Sequence, residues 1–144
     1  MRIEIYEFDR ENYEELKNVW EKSVRATHNF LKEEDFNNIK EHICEYFTYV
    51  EIFGMKDEKG NIAGFIGLSE NKIEMLFVAP EYFGKKIGKS LVSFAIKDMG
   101  ALYVDVNEEN KGAYEFYKKM GAKFKGRDEF DGEGKPYPIL HLKF

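Results

Sequence analysis

The spacing of apolar positions changes several times along the chain, and each change predicts a boundary between a strand and a helix. Apolar and charged residues alternate over residues 2–8, which indicates a short strand, and Asp9 follows where a helix N-cap belongs. Apolar residues then recur every three or four positions over 13–24, and again over the acidic stretch 33–46. The sequence therefore begins with one strand and two amphipathic helices.

The middle of the chain is rich in β-forming residues. Three short runs, residues 48–56, 62–69 and 73–79, are separated by tight polar turns, which predicts an antiparallel meander. The period then returns to about 3.6 over residues 84–99, and Gly100 ends the predicted helix.

The last third alternates again. A strand is predicted over 102–106, a helix from about Asn110 to a stop at Gly121, and two final strands over 122–126 and 139–144. The order βααβββαβαββ indicates an α/β protein with a mixed sheet, because a strand that follows a crossover helix returns parallel. With 144 residues, we expect a single domain over 1–144.

The charge balance, the hydrophobic runs and the His and Cys positions argue against several classes of function. The 22 Lys and Arg against 27 Asp and Glu give a net charge of −5, the wrong balance for a nucleic-acid binder. No run approaches a membrane span, and the acidic N-terminus does not look like a secretory signal. Three His and the lone Cys44 match no zinc spacing, so we expect no metal. A soluble, reduced, cytoplasmic protein without nucleic-acid or membrane partners is predicted.

The segment from Ile73 to Leu91 carries the most informative chemistry. It predicts a strand, a loop with Gly84 and Gly88, and a helix N-terminus, where unpaired backbone N–H groups and the helix dipole suit a phosphate. Three lysines add positive charge there, although an ordinary connection with solvated lysines explains the spacing equally well. Neither a P-loop nor a Rossmann fingerprint is present.

This segment resembles motif A of the GNAT superfamily of N-acetyltransferases. Residues 76–80, LeuPheValAlaPro, match the strand end, and Gly88 holds the last small position of the family's loop, while Phe83 replaces Gln or Arg and Lys86 replaces Gly. The segment 110–121 is similar to the family's second signature, Asn-x-x-Ala-x-x-hydrophobic-Tyr-x-x-x-Gly. Segments beginning at Ser23, Val106 and Gly134 also resemble the small bacterial YjaB-like subgroup.

The resemblance implies a GNAT acyl-CoA N-acyltransferase fold of the α/β (α+β) class. Its mixed, mostly antiparallel sheet would have splayed central strands flanked by about four helices. It also implies acetyl-CoA as cosubstrate, with the pantetheine arm along the fourth strand and the pyrophosphate on the following loop. The implied cofactor-binding residues are Leu76, Phe77, Val78, Gly84, Lys85, Lys86, Ile87, Gly88, Lys89 and Asn110.

Two of the motif residues also have structural explanations. In the family, a tyrosine at the position of Tyr117 protonates the departing thiolate, and a phenol with a pKa near 10 is protonated at neutral pH. Tyr117 otherwise shares one helix face with Ala113, Phe116 and Met120 and fits core packing. Asn110 suits either an N-cap or a contact to the pantetheine arm.

An amine acceptor needs a group that takes its proton. Glu74 is the first candidate because it interrupts an apolar strand beside the implied acetyl site, although it could simply face solvent. His28 is the second candidate, since it lies in the loop after the first helix, which forms a wall of the acceptor pocket in the family. A hydrogen-bonded structural His is the alternative.

Acceptor contacts are implied for residues from two parts of the chain. Arg25 would suit an anionic group of the substrate because its planar fork pairs bidentately, unless it forms a surface ion pair with one of the many glutamates. The acidic run 33–35 would attract a cationic amine or simply match the helix dipole. The implied acceptor residues are Ser23, Arg25, Thr27, Asn107 and Tyr137.

The sequence thus predicts an N-acetyltransferase that transfers acetyl from acetyl-CoA to a primary amine of a small molecule or peptide. Direct attack of the amine, with Tyr117 as general acid, is the expected mechanism. A CoA-binding sensor without turnover is the alternative, because Phe83 and Lys86 depart from the family loop. A plain interaction module is the third possibility. Either a monomer or a homodimer is compatible with the sequence.

Overall fold

A computed structural model describes residues 4–144, which form one seven-stranded sheet with helices on both faces. The strands run in the spatial order β1-β2-β3-β4-β5-β7-β6. The elements in chain order are β1 (Tyr6–Phe8), α1 (Tyr13–Thr27), α2 (Glu33–Phe47), β2 (Glu51–Lys56), β3 (Ile62–Ser69), β4 (Lys72–Val78), α3 (Ile87–Met99), β5 (Tyr103–Asn107), α4 (Lys111–Lys119), β6 (Lys123–Asp128) and β7 (Ile139–Lys143).

The sheet is mixed and mostly antiparallel. Strands β1 to β4 form antiparallel neighbours, and β5-β7-β6 continue the sheet in antiparallel pairs. The pair β4–β5 is parallel because α3 carries the chain back across the sheet. The predicted element order and fold class are therefore confirmed.

Two apolar cores lie on the two faces of the sheet. The first is built by α3 and α4 with inward residues of β3, β4, β5 and β7, among them Ile73, Leu91 and Val104. The second is built by α1 and α2, with Trp20 stacked on Phe36 at a ring-centroid distance of 5.2 Å. Helix α1 therefore packs against one face of β3 and β4, and α3 packs against the other face. Helix α4 packs against β5.

Capping residues account for several of the observed boundaries. The Asp9 carboxylate accepts from the Glu11 N–H, as its predicted capping role requires, but it opens a 3₁₀ turn (Arg10–Asn12) before α1. The side-chain oxygen of Asn110 accepts from the Ala113 N–H at 3.2 Å and caps α4. Helix α1 extends three residues beyond the predicted end at Val24, to Thr27.

The start of α3 differs from the prediction. The spacing places it at Gly84, whereas the helix begins at Ile87 because Gly84 (φ 80°) and Lys86 (φ 67°) adopt left-handed backbone conformations. The predicted first strand is also shortened to Tyr6–Phe8, and Arg2 and Ile3 lie outside the described residues. None of the helices described in residues 4–144 combines the length and the hydropathy that crossing a membrane would require.

Candidate active site

The two central strands separate soon after they meet. Strands β4 and β5 pair at only two positions, Lys72 with Tyr103 and Ile73 with Val104. On its other edge β4 carries a bulge at Glu74, because Gly67 opposes Met75 while the next residue of β3, Leu68, opposes Ile73. A bulge bends its strand, so β4 turns away from β5 at this point. Among residues 4–144, no strand pairs with the β5-facing edge of β4 beyond the bulge.

A groove of about 520 Å³ opens where the strands diverge. Its walls come from the end of β4, from the loop before α3 and from α4. Lys85 is the one implied cofactor residue outside its lining. It lines a second groove of about 1100 Å³ between the start of α3 and the turn that joins β2 to β3, and the two grooves share Lys86 and Lys89. The implied cofactor residues that do line the 520 Å³ groove are Leu76, Phe77, Val78, Gly84, Lys86, Ile87, Gly88, Lys89 and Asn110.

The loop before α3 presents backbone donors to this groove. Ser90 is the first residue of the helix whose N–H reaches a backbone acceptor, the Lys86 carbonyl at 3.0 Å. The N–H groups of Ile87, Gly88 and Lys89 have no partner among residues 4–144, and no side chain caps the helix. These donors, the helix dipole and the ammonium groups of Lys86 and Lys89 make this end of the groove suitable for a phosphate group.

The opposite wall of the groove was not predicted from sequence. It is formed by Gly112, Ala113 and Phe116 on one side of α4, together with Tyr82 and the half-exposed Phe83 on the loop. The sequence placed Ala113 and Phe116 on the helix face of Tyr117, but only the position of α4 beside the diverging strands brings the first two to the groove.

Tyr117 lies at the inner end of the gap between β4 and β5. Its side chain is 5% exposed and lines a small cavity of about 120 Å³. The hydroxyl has no hydrogen-bond partner among the described residues, yet no described side-chain polar atom is both fully buried and unpaired, so this hydroxyl is open to the cavity. Burial raises the pKa of Tyr117 above its ordinary value, which keeps the phenol protonated.

His28 stands at the junction of the groove and the cavity, and it lines both. It caps the C-terminus of α1, and its ring lies 5.3 Å from that of Phe30. Burial lowers the pKa of His28 below its ordinary value, so the imidazole is neutral at neutral pH. Its Nδ1 lies 2.7 Å from the Thr27 hydroxyl oxygen.

Glu74 and Asn107 also line the small cavity. The Glu74 carboxylate lies 3.4 Å from the Lys72 ammonium and forms an ion pair with it. The Glu74 side chain is partly exposed, so it does not simply face solvent. The Asn107 side chain accepts from the Glu109 N–H at 3.1 Å, at the end of β5. The structure thus brings both candidate bases and Tyr117 to one cavity.

The implied acceptor residues divide into two groups. Ser23 and Thr27 line the groove beside His28. Arg25 lies outside the lining of both cavities, makes a bidentate ion pair with Glu33 and stacks 3.6 Å from the centroid of Phe36. Tyr137 is also outside, because its hydroxyl donates to Asp35 and accepts from the Lys32 N–H. The structure therefore favours the surface ion pair for Arg25.

Comparisons with known proteins agree with this geometry. The model of the acetyltransferase (GNAT) family matches residues 4–122. The peptidyl-lysine N-acetyltransferase YjaB of Salmonella typhimurium strain LT2 is 37% identical over 142 residues, which cover 99% of this chain and 98% of that protein. The chain therefore belongs to the acetyltransferase (GNAT) family, as the sequence motifs implied.

Solved structures show the same fold. The solution structure of apo YjaB from Escherichia coli is 36% identical, with a TM-score of 0.90 and coverage of 100% of this chain and 98% of that one. The PaiA N-acetyltransferase of Thermoplasma acidophilum, solved in complex with coenzyme A, is 28% identical, with a TM-score of 0.76 and full coverage of both chains. The expected GNAT fold is confirmed.

Proposed function

We propose that this protein transfers the acetyl group of acetyl-CoA to the ε-amino group of a lysine in a peptide or protein. The observation that carries the proposal is Tyr117, a buried side chain whose hydroxyl has no partner among residues 4–144 and opens to the cavity where β4 and β5 diverge. The choice of acceptor is supported by whole-length similarity to relatives named peptidyl-lysine N-acetyltransferases.

The groove supports binding of acetyl-CoA in an extended conformation. The free backbone edge of Leu76 to Val78 would bind the pantetheine amides as an added strand would, and the N–H groups at the start of α3 would bind the pyrophosphate. The apolar wall of Ala113 and Phe116 would cover the arm. This arrangement directs the thioester toward Tyr117.

The reaction needs a donor that stabilises the oxyanion, an acid that protonates the sulfur and a base that accepts the proton of the amine. A backbone N–H near Val78 would stabilise the charge that develops on the carbonyl oxygen as the amine nitrogen bonds to the acetyl carbon. As the carbon–sulfur bond breaks, Tyr117 would donate its proton to the sulfur. The proton lost by the amine would go to His28 or to Glu74, since both line the same cavity.

The hydrogen bonds of His28 favour it as the base. The Thr27 hydroxyl lies 2.8 Å from the Ser23 carbonyl oxygen and donates its single proton there. The hydroxyl oxygen must then accept from Nδ1–H of His28, 2.7 Å away. That tautomer leaves a lone pair on Nε2 of a neutral ring, which is the form a general base requires.

The test is transfer from acetyl-CoA to a panel of lysine peptides and small amines, with two tyrosine variants. Tyr117→Phe should lower kcat about 100-fold or more while the Kd of CoA stays unchanged, because only proton donation is lost. Tyr114→Phe, on the same helix and outside both cavities, is the matched control and should retain wild-type kcat. Equal kcat in Tyr117→Phe and wild type would contradict the proposed role.

A CoA-binding sensor without turnover is the second candidate, and the apolar Phe83 in the groove favours it. Calorimetry with CoA and acetyl-CoA separates the candidates. Binding of both ligands without transfer to any amine would support the sensor, whereas no binding of either ligand would overturn both proposals.

A further inference from the structure

A chain of charged side chains crosses four strands next to the small cavity. The Lys72 ammonium lies 2.7 Å from Asp105 Oδ2 and 3.4 Å from Glu74. Asp105 Oδ1 lies 2.7 Å from Nδ1 of His141, whose Nε2 lies 2.7 Å from the Asp128 carboxylate. The network therefore joins β4, β5, β7 and β6 in that spatial order.

The network and Tyr117 reach the cavity from opposite faces of the sheet. Val104, the neighbour of Asp105, packs into the core formed with α3 and α4, so Asp105 projects to the other face. Tyr117 belongs to α4 and to that core. Because Glu74, Asp105 and Tyr117 all line the same cavity, the cavity passes through the gap between the diverging strands.

Two independent observations indicate that a ligand enters this cavity from the Asp105 side. The Tyr117 side chain is 5% exposed, and its hydroxyl, which opens to the cavity, has no partner among the described residues. Two carboxylates stand at the other end, and a primary ammonium, that of Lys72, already lies against both. The group that these carboxylates already hold, the Lys72 side chain, is itself an unbranched alkyl ammonium.

We propose that Asp105 and Glu74 bind the ammonium group of the acceptor, and that Lys72 occupies this site in the free protein until the acceptor displaces it. The inference rests on the proposed function, and it names the acceptor as an unbranched primary amine of the lysine type. Lys72 acts as an internal competitor. His141, held on its outer side by Asp128, is a positioning residue that fixes the Asp105 carboxylate.

The exposure of the ion pairs is suited to such an exchange. The side chains of Lys72, Glu74 and Asp105 keep 38%, 35% and 30% of their accessible surface. Partly exposed ion pairs contribute little net stability, so replacing one ammonium by another costs little. The carboxylates would bring the acceptor nitrogen to the cavity as a cation, and it must lose a proton there before it can attack.

Steady-state kinetics with a lysine peptide accepted by the wild type tests the site. Lys72→Met removes the competitor and should lower the acceptor KM several-fold, whereas Asp105→Asn should raise it about tenfold by loss of a charge-assisted hydrogen bond. Glu115→Gln removes an ion-paired carboxylate that lies outside both this network and the cavity lining, and it should leave the acceptor KM unchanged. The KM for acetyl-CoA should be the same in all four proteins.

A second measurement does not depend on turnover. The Lys72 signal of protein labelled with ¹⁵N at lysine Nζ is followed by NMR during titration with Nα-acetyl-lysine methylamide. A saturable shift of that signal, weakened in Asp105→Asn, is expected. Transfer in the wild type with an unchanged acceptor KM in Lys72→Met and no shift would overturn this inference alone. A saturable shift without transfer to any amine would overturn the proposed function and leave the ammonium site standing.

Discussion

The hydroxyl of Tyr137 donates a hydrogen bond to the carboxylate of Asp35, and so joins two parts of the chain that are 102 residues apart. The same hydroxyl accepts from the Lys32 N–H at 3.2 Å. The loop before β7 is thereby attached to the first turn of α2. Burial raises the pKa of Tyr137, which keeps it protonated as a donor to the carboxylate.

Tyr137→Phe should release that loop from α2. We expect a Tm lowered by a few degrees, a higher KM for a peptide acceptor and an unchanged Kd for CoA, because the loop lies away from the groove. Differential scanning calorimetry and steady-state kinetics give the three values. Tyr49→Phe, an exposed tyrosine, is the control. A change in CoA affinity as large as the change in acceptor KM would contradict this view of Tyr137.

The decrease of kcat/KM in acidic solution should follow the protonation of His28. Because burial lowers the pKa of His28, the neutral base persists below the ordinary imidazole value of about 6.5 and is lost only in more acidic solution. The ratio of wild-type kcat/KM to that of His28→Gln should be constant above that value and fall as pH decreases through the lowered pKa.

His42→Gln is the comparison, since His42 lies on the exposed side of α2 and its pKa is raised by its hydrogen bond to the Asn38 carbonyl. This variant should follow the wild-type profile. A pH-independent ratio between wild type and His28→Gln would remove His28 as the base and leave Glu74.

Two substitutions of Lys86 separate the effect of its left-handed backbone conformation on stability from the effect of its charge on CoA binding. A left-handed conformation costs a residue with a side chain about 1 kcal/mol relative to Gly, so Lys86→Gly should raise the free energy of unfolding by about that amount, whereas Lys86→Ala should not. Both variants lose the charge beside the groove, and both should bind CoA more weakly. Urea denaturation and calorimetry give the two quantities. Equal stability of the Gly and Ala variants would contradict the strain argument.

Titration of His141 should make the free energy of unfolding depend on pH. Hydrogen bonds to Asp105 and Asp128 raise the pKa of His141 in the folded protein. Its contribution is therefore fully present below the unfolded value of about 6.5 and is lost as pH rises through the higher folded value. The difference in unfolding free energy between wild type and His141→Gln should shrink over that window. A difference that grows with pH would contradict this sign.

Local signals predicted the elements that local interactions control. Apolar periodicity and the caps at Asp9 and Asn110 placed the helices and strands within a few residues. The start of α3 was misplaced because the period of 3.6 continues through Gly84 and Lys86, whereas their left-handed conformations depend on how the loop meets the sheet.

The candidate site also contains residues that local sequence predicts and residues that depend on distant parts of the chain. Short motifs implied Tyr117 and the part of the groove formed by β4 and the start of α3, because those residues are close in sequence. The bulge at Glu74 and the contacts of Asp105 with Lys72 and His141 depend on the register of four strands distant in sequence. No spacing along one chain indicates such a register, so the bulge and the charged network around Asp105 could only be seen in the structure.

No side chain among residues 4–144 caps the start of α3, where three residues with unpaired N–H groups line the groove. Most helices complete this end with a residue of their own chain. Here the completing acceptor would come from the bound ligand, so that ligand binding and ordering of the first helical turn become a single event. The amide hydrogens of Ile87, Gly88 and Lys89 would then exchange with solvent in the empty protein and become protected when the groove is filled.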